Sequence, residues 1–156
     1  MNKTEQDAFW NSQVSKLKKA GLLKKSVPPH QGYRQKLHSW KSSDITLNAG
    51  CDDRGEWVHV DITMTGNFRL SWFARLKTRQ KDLEMAVEND LGKTLNGYEL
   101  EWIWDPRDDG ARESWIILRC HGLDLSDRKS CQIGQEWIKQ TVGSFFKHFG
   151  PLLDTL

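Results

Sequence analysis

The sequence predicts an α+β fold: an antiparallel sheet of four to five strands with helices packed on one face, in the order α-β-β-α-β-β-α. Three observations lead there. Residues 98–105 and 113–121 read as two strands joined by a turn. Residues 57–64 alternate apolar and polar side chains with the two-residue period of a half-buried strand. Three other stretches carry apolar residues at helical spacing and are set off by glycine, proline or capping residues, which makes helices the cover for the sheet. At 156 residues with 37% hydrophobic content the chain suits a single domain, 1–156, with a core large enough to fold without staples.

In chain order, Thr4 is placed to cap a helix in which Trp10, Val14 and Leu17 recur at helical spacing until Gly21. Glu5 and Asp7 stand at its start and Lys16, Lys18 and Lys19 at its end. The helix dipole favours that order, so these lysines have a structural reason as well as a functional one. Residues 22–43 then form a basic arm or loop with Pro28-Pro29 and Gly32, and with a short strand near 34–40. Its Tyr33, Trp40, His30 and His38 interleave with cations. The arm either packs its aromatics on the sheet as a connector or follows a polyanion.

Residues 44–48 direct Ile45 and Leu47 inward, and 57–64 direct Val58, Val60, Ile62 and Met64 the same way, with Trp57, His59, Asp61 and Thr63 facing out. A short loop makes these strands an antiparallel pair. Asn67 or Thr65 caps a single long helix over 68–91, with Phe73, Leu76, Leu83, Val87 and Leu91 as its apolar line and Gly92 as its stop. Its cations Arg69, Arg75, Lys77, Arg79 and Lys81 precede its acids Asp82, Glu84, Glu88 and Asp90, against the dipole. Either a ligand placed them or they form a solvated surface. In the following hairpin Tyr98, Leu100, Trp102 and Trp104 share one face, 106–110 makes the turn, and the run from Trp115 to Leu118 is dense enough to be buried on both faces. Ser126 caps a last helix along Ile138, Val142, Phe145 and Phe149, interrupted at Gly150-Pro151.

The net charge of +2 conceals an asymmetry. Residues 1–43 hold nine Lys/Arg against two acids, and residues 44–156 hold fourteen against nineteen. A segment of that sign suits a nucleic acid or a nucleic-acid-processing protein with an acidic surface. Lys18, Lys19, Lys24, Lys25, Tyr33, Arg34 and Lys36, joined by Arg75 and Arg79 of the long helix, are the candidate binding residues. Three cysteines without zinc-site spacing point to a reducing cytoplasm. No signal-like or membrane-length apolar run occurs, so a cytoplasmic protein without a membrane partner is expected.

No catalytic motif is present, and no enzyme activity, cofactor or metal is expected. A restriction-type nuclease needs an acid-x-Lys pair on a strand, which is missing. His59, Asp61, Glu99 and Glu101 could share the outer sheet face and hold a divalent ion if their strands are neighbours, although alternation alone also puts polar residues there. Cys120 and His121 are neighbours on a strand and point to opposite faces, which prevents a thiolate-imidazole pair. Cys51, Asp52 and Asp53 within 50–55 are the wrong residues for a phosphate loop.

Several short pieces together resemble an uncharacterised bacterial and archaeal domain family, often found as the C-terminal module of predicted restriction-endonuclease-like nucleases. They are Asp44-Ile45-Thr46-Leu47, Val58-His59-Val60-Asp61-Ile62, the helix pieces 73–76 and 83–92, Leu100-Glu101-Trp102, Ile116-Ile117 and Trp137-Ile138, in family order over about 110 residues. Phe9-Trp10 also fits the family's usual start. The chain departs from the family in carrying no nuclease domain and in its heavier basic arm. The resemblance implies a non-enzymatic accessory module of a genome-defence or mobile-element system. With the charge asymmetry, two roles follow: a nucleic-acid-associated module acting through a basic N-terminal surface, or a small inhibitor or immunity-like factor that blocks a nuclease or another nucleic-acid-binding partner.

Overall fold

The computed structural model describes residues 1–92 and 97–156. Its elements are α1 (Lys3–Lys19), β1 (Arg34–Trp40), β2 (Ile45–Cys51), β3 (Trp57–Thr65), α2 (Arg69–Lys77), α3 (Gln80–Leu91), β4 (Glu99–Asp105), β5 (Glu113–His121), α4 (Arg128–His148) and α5 (Gly150–Asp154). The five strands form one antiparallel sheet in the order β1-β2-β3-β5-β4. The expected α+β architecture is therefore present, and the short strand foreseen inside the arm is a full edge strand.

Register fixes which residues face the helices. Ile45, Leu47, Ala49 and Cys51 on β2 lie opposite Met64, Ile62, Val60 and Val58 on β3. Val58, Val60 and Ile62 in turn lie opposite Cys120, Leu118 and Ile116 on β5. This row is 4% exposed or less throughout, under Phe73, Leu76, Leu83, Val87, Trp137, Ile138, Val142, Phe145 and Phe149. Trp102 stacks on Phe145 with ring planes 2° apart, and Trp104 meets both Phe73 and Phe149. The two tryptophans thus anchor α2 and α4 on the edge of the sheet. α1 joins the cluster through Phe9, Trp10 and Leu17, and two glutamines hold it to α4, Gln13 Nε2 donating to the Gln135 carbonyl and Gln135 Nε2 to that of Phe9.

Several boundaries differ from the sequence reading. Asn2, not Thr4, caps α1, its Oδ1 accepting from the Glu5 N–H at 2.8 Å. Asp127, not Ser126, caps α4, because the Ser126 hydroxyl is turned back to Asp124. Phe68 stands at the start of α2 without a side-chain cap, so neither Asn67 nor Thr65 has that role.

The single helix expected over 68–91 is two. At the break the Thr78 hydroxyl donates to the Arg75 carbonyl at 2.7 Å and competes with the backbone ladder. The split accounts for part of the charge order: Arg75 and Lys77 lie in the last turn of α2 and Asp82 in the first turn of α3, each the sign the dipole favours, whereas Arg69, Lys81, Glu88 and Asp90 still oppose it.

Candidate functional site

The face of the sheet away from the helices carries the chemistry. Trp57, His59, Asp61 and Thr63 on β3 are flanked by Arg34, Lys36, Thr46 and Asn48 on β1 and β2, and by Trp115, Ile117, Arg119 and His121 on β5. Asp61 is 3% exposed and is the hub. Its Oδ1 accepts from Asn48 Nδ2 at 2.9 Å, Thr63 Oγ1 at 2.8 Å and Arg34 Nη2 at 3.2 Å. Its Oδ2 faces His59 Nε2 at 2.9 Å. Burial would raise the Asp61 pKa, but the His59 hydrogen bond and charge, then Arg34 and Asn48, bring it below the ordinary carboxylate value.

Gly50 makes the network possible. It lies between Arg34 and His59 in register, and a Cβ there would come within 2.2 Å of His59 Cε1. Arg34 reaches across this gap from the edge strand to Asp61 and to Thr63 Oγ1 at 2.6 Å, with its side chain still 43% exposed.

Three hollows adjoin along this side of the molecule. The first, about 270 Å³, is floored by Thr46, Asn48 and Thr63 and edged by Arg34 and Lys36. The second, about 580 Å³, holds Lys18 and shares Pro28 and Pro29 with the first. The third, about 760 Å³, holds Arg107 and Arg112 and shares Thr65 and Glu113 with the first. The result is one track crossing the Pro28-Pro29 ridge and the outer sheet face. Among the described residues two carboxylates line it, and both are engaged: Asp7 with His30 at 2.6 Å and Glu113 with Arg107 at 3.8 Å. Lys18, Lys36 and Arg112 pair with no carboxylate among the described residues.

The structure brings some candidate residues together and separates others. Lys18, Arg34 and Lys36 lie on the track, and Lys19 is exposed beside Lys18 at the end of α1. Lys24 lines a different groove with His38, Trp40, Phe146 and Asp154. Burial, then Lys24 and neighbouring Lys25, push the His38 pKa down. Tyr33 packs on the core and donates its hydroxyl to the Met1 carbonyl. Arg75 and Arg79 line a separate hollow against Leu152 and Leu156.

Sequence reasoning missed Arg107 and Arg112, which sit in a loop whose path no periodicity reports. It also placed Trp115 in a doubly buried strand. β5 is central but covered by helices on one side only: Ile116 and Leu118 are fully buried there, while Trp115 faces outward with the Arg107 guanidinium 3.9 Å from its ring centre.

The metal arrangement fails on strand order. β5 separates β3 from β4, so Arg119 lies between His59 and Glu101, and Glu101 accepts from Arg119 and His121 instead. No group of three metal-binding side chains occurs among the described residues. Cys120 is buried on the helix side with its thiol pKa raised to about 11 by burial, and His121 faces outward. Asp90 accepts from both Ser144 Oγ at 2.7 Å and His148 Nε2 at 2.8 Å. There the hydroxyl donates to the carboxylate and not to the imidazole, so the three act as a clamp between α3 and α4 without activating a nucleophile. Among the described residues no helix is long and apolar enough to cross a membrane.

Compared with known protein families, curated proteins and solved structures, the chain matches none.

Proposed function

We propose that this protein is a non-enzymatic module that binds single-stranded nucleic acid along the track from Lys18 over Pro28-Pro29 and Arg34 to Arg112. The observation that carries this reading is the charge state of the track: its cations come from three separate chain segments, and its lining carboxylates are already paired. A polyanion supplies the missing counter-charge and releases its own counterions. The hydroxyl and amide floor suits phosphate and sugar oxygens. The resemblance to nuclease-associated domains supports a role beside a nuclease in a genome-defence or mobile-element system. The test is binding of a labelled oligothymidine at 50 and 200 mM salt. Five phosphate contacts predict an affinity loss of about a hundredfold between the two, and binding that is absent or insensitive to salt refutes the reading.

A second reading is a small inhibitor that blocks a nuclease or nucleic-acid-binding partner. Phe68, Leu70 and Met85 on the helix side support it, being 65%, 44% and 53% exposed. It predicts a stoichiometric complex in a pull-down, abolished by Phe68→Ser with Leu70→Ser. A complex unaffected by those changes counts against it.

A further inference from the structure

We infer that Trp115 and Arg107 form a stacking subsite for an unpaired nucleobase, at the junction of the first and third hollows. This rests on the nucleic-acid reading above and specifies what the track recognises besides phosphate. Trp115 lies directly opposite Thr63, which floors the first hollow, and follows Glu113 by two residues on the same face of β5. The Arg107 guanidinium lies over its ring, 3.9 Å from the ring centre. Arg107 itself lines the third hollow and Trp115 neighbours Thr63 and Glu113 of the first, so the plate and its cover stand beside the crossing from one hollow to the next.

The backbone holds Arg107 over the ring. Its φ is +50°, in the left-handed region that non-glycine residues rarely adopt, and its N–H donates to Asp105 Oδ1 at 2.9 Å. Below it, Arg69 fixes the loop by donating to the carbonyls of Pro106, Arg107 and Ala111. The side chain is held more weakly, by Glu113 at 3.8 Å and by the ring face. A base therefore displaces the ring contact and, where the side chain must swing away, the long Glu113 pair. It then lies between an indole below and a guanidinium above, each of which stacks on a π-face without regard to base identity. The subsite takes a base only after it has left a duplex, because paired bases keep both faces stacked on their neighbours. This makes the track selective for single strands.

The experiment compares an oligothymidine with an abasic oligomer of the same length, using the whole protein and fluorescence anisotropy. The inference predicts binding of the oligothymidine about tenfold or more tighter. Trp115→Leu should remove most of that difference while leaving abasic binding within about twofold, and Trp115→Phe should restore it. Equal binding of the two oligomers by the unaltered protein overturns the stacking subsite and leaves the phosphate track standing. A Trp115→Leu protein that folds and keeps the difference overturns it too. If neither oligomer binds, the nucleic-acid reading itself fails.

Discussion

Replacing Asp61 tests whether the outer face is organised as described. In Asp61→Asn the new carbonyl can still accept from Asn48, Thr63 and Arg34, but the amide N–H₂ must point at His59 Nε2. His59 can accept there only by moving its proton to Nδ1, a buried atom with no hydrogen-bond partner in the structure. One buried donor is left unsatisfied, and Arg34 loses its counter-charge. The first costs about 1–3 kcal/mol, and the second about 0.5 kcal/mol, because Arg34 is 43% exposed and screened. The expected loss is therefore about 1.5–3.5 kcal/mol. Asp61→Ala, which removes the shared acceptor of four donors and leaves those of Thr63 and His59 without another, should cost about 3–5 kcal/mol. Urea unfolding followed by tryptophan fluorescence measures both. Losses below about 0.5 kcal/mol for both variants, or an alanine variant no worse than the asparagine one, would refute the network as a structural hub.

Gly50→Ala should cost about 3 kcal/mol in the same unfolding assay, since its Cβ drives the His59 ring off Asp61; a loss under about 1 kcal/mol would show that the ring is not fixed there. Lys41, Ser42 and Ser43 all have positive φ, at 53°, 54° and 73°, in the β1–β2 turn. Ser42→Gly and Ser43→Gly should each stabilise by about 0.5–1 kcal/mol, and destabilisation by either would contradict that strain. The pKa values of Asp61 and Asp90 are both held below the ordinary carboxylate value, Asp90 by the Ser144 hydrogen bond first, with His148 and Lys147 outweighing the opposing effect of burial. Because the folded value lies below the unfolded one, their stabilisation is complete above about pH 4 and is lost as pH falls through the folded values. A pH titration of stability should show that acid limb, and Asp90→Asn should shrink it; an unchanged limb speaks against the α3–α4 clamp.

The strands of the sheet were legible because Val58, Val60, Ile62 and Met64 alternate with polar neighbours, and burial on one face leaves no other register. The five-strand count was less so. β1 carries a bulge between Lys36 and His38 that breaks its alternation, so the strand foreseen near 34–40 read as a short piece inside an arm, and four strands stayed as open as five. The break between α2 and α3 was hidden because Phe73, Leu76, Leu83 and Val87 keep one apolar line across it, and only the misordered charges signalled two dipoles. At the site, Arg34 and Lys36 were visible as cations of a basic segment. Arg34's partner Asp61 was visible only as an outward-facing polar residue, since its burial depends on Gly50 and on neighbouring strands distant in sequence. Arg107 and Arg112 were invisible because a loop has no period.

The most direct test of the central claim removes one unpaired cation from each hollow, with Lys18→Gln, Lys36→Gln and Arg112→Gln in a single protein. None of the three is ion-paired among the described residues, so the fold should persist and circular dichroism should be unchanged. The slope of log affinity for oligothymidine against log salt should become shallower by about 2, whereas Arg75→Gln with Arg79→Gln, off the track, should leave it within about 0.3. An unchanged slope in the triple variant, or an equal change in the Arg75/Arg79 pair, would contradict the track.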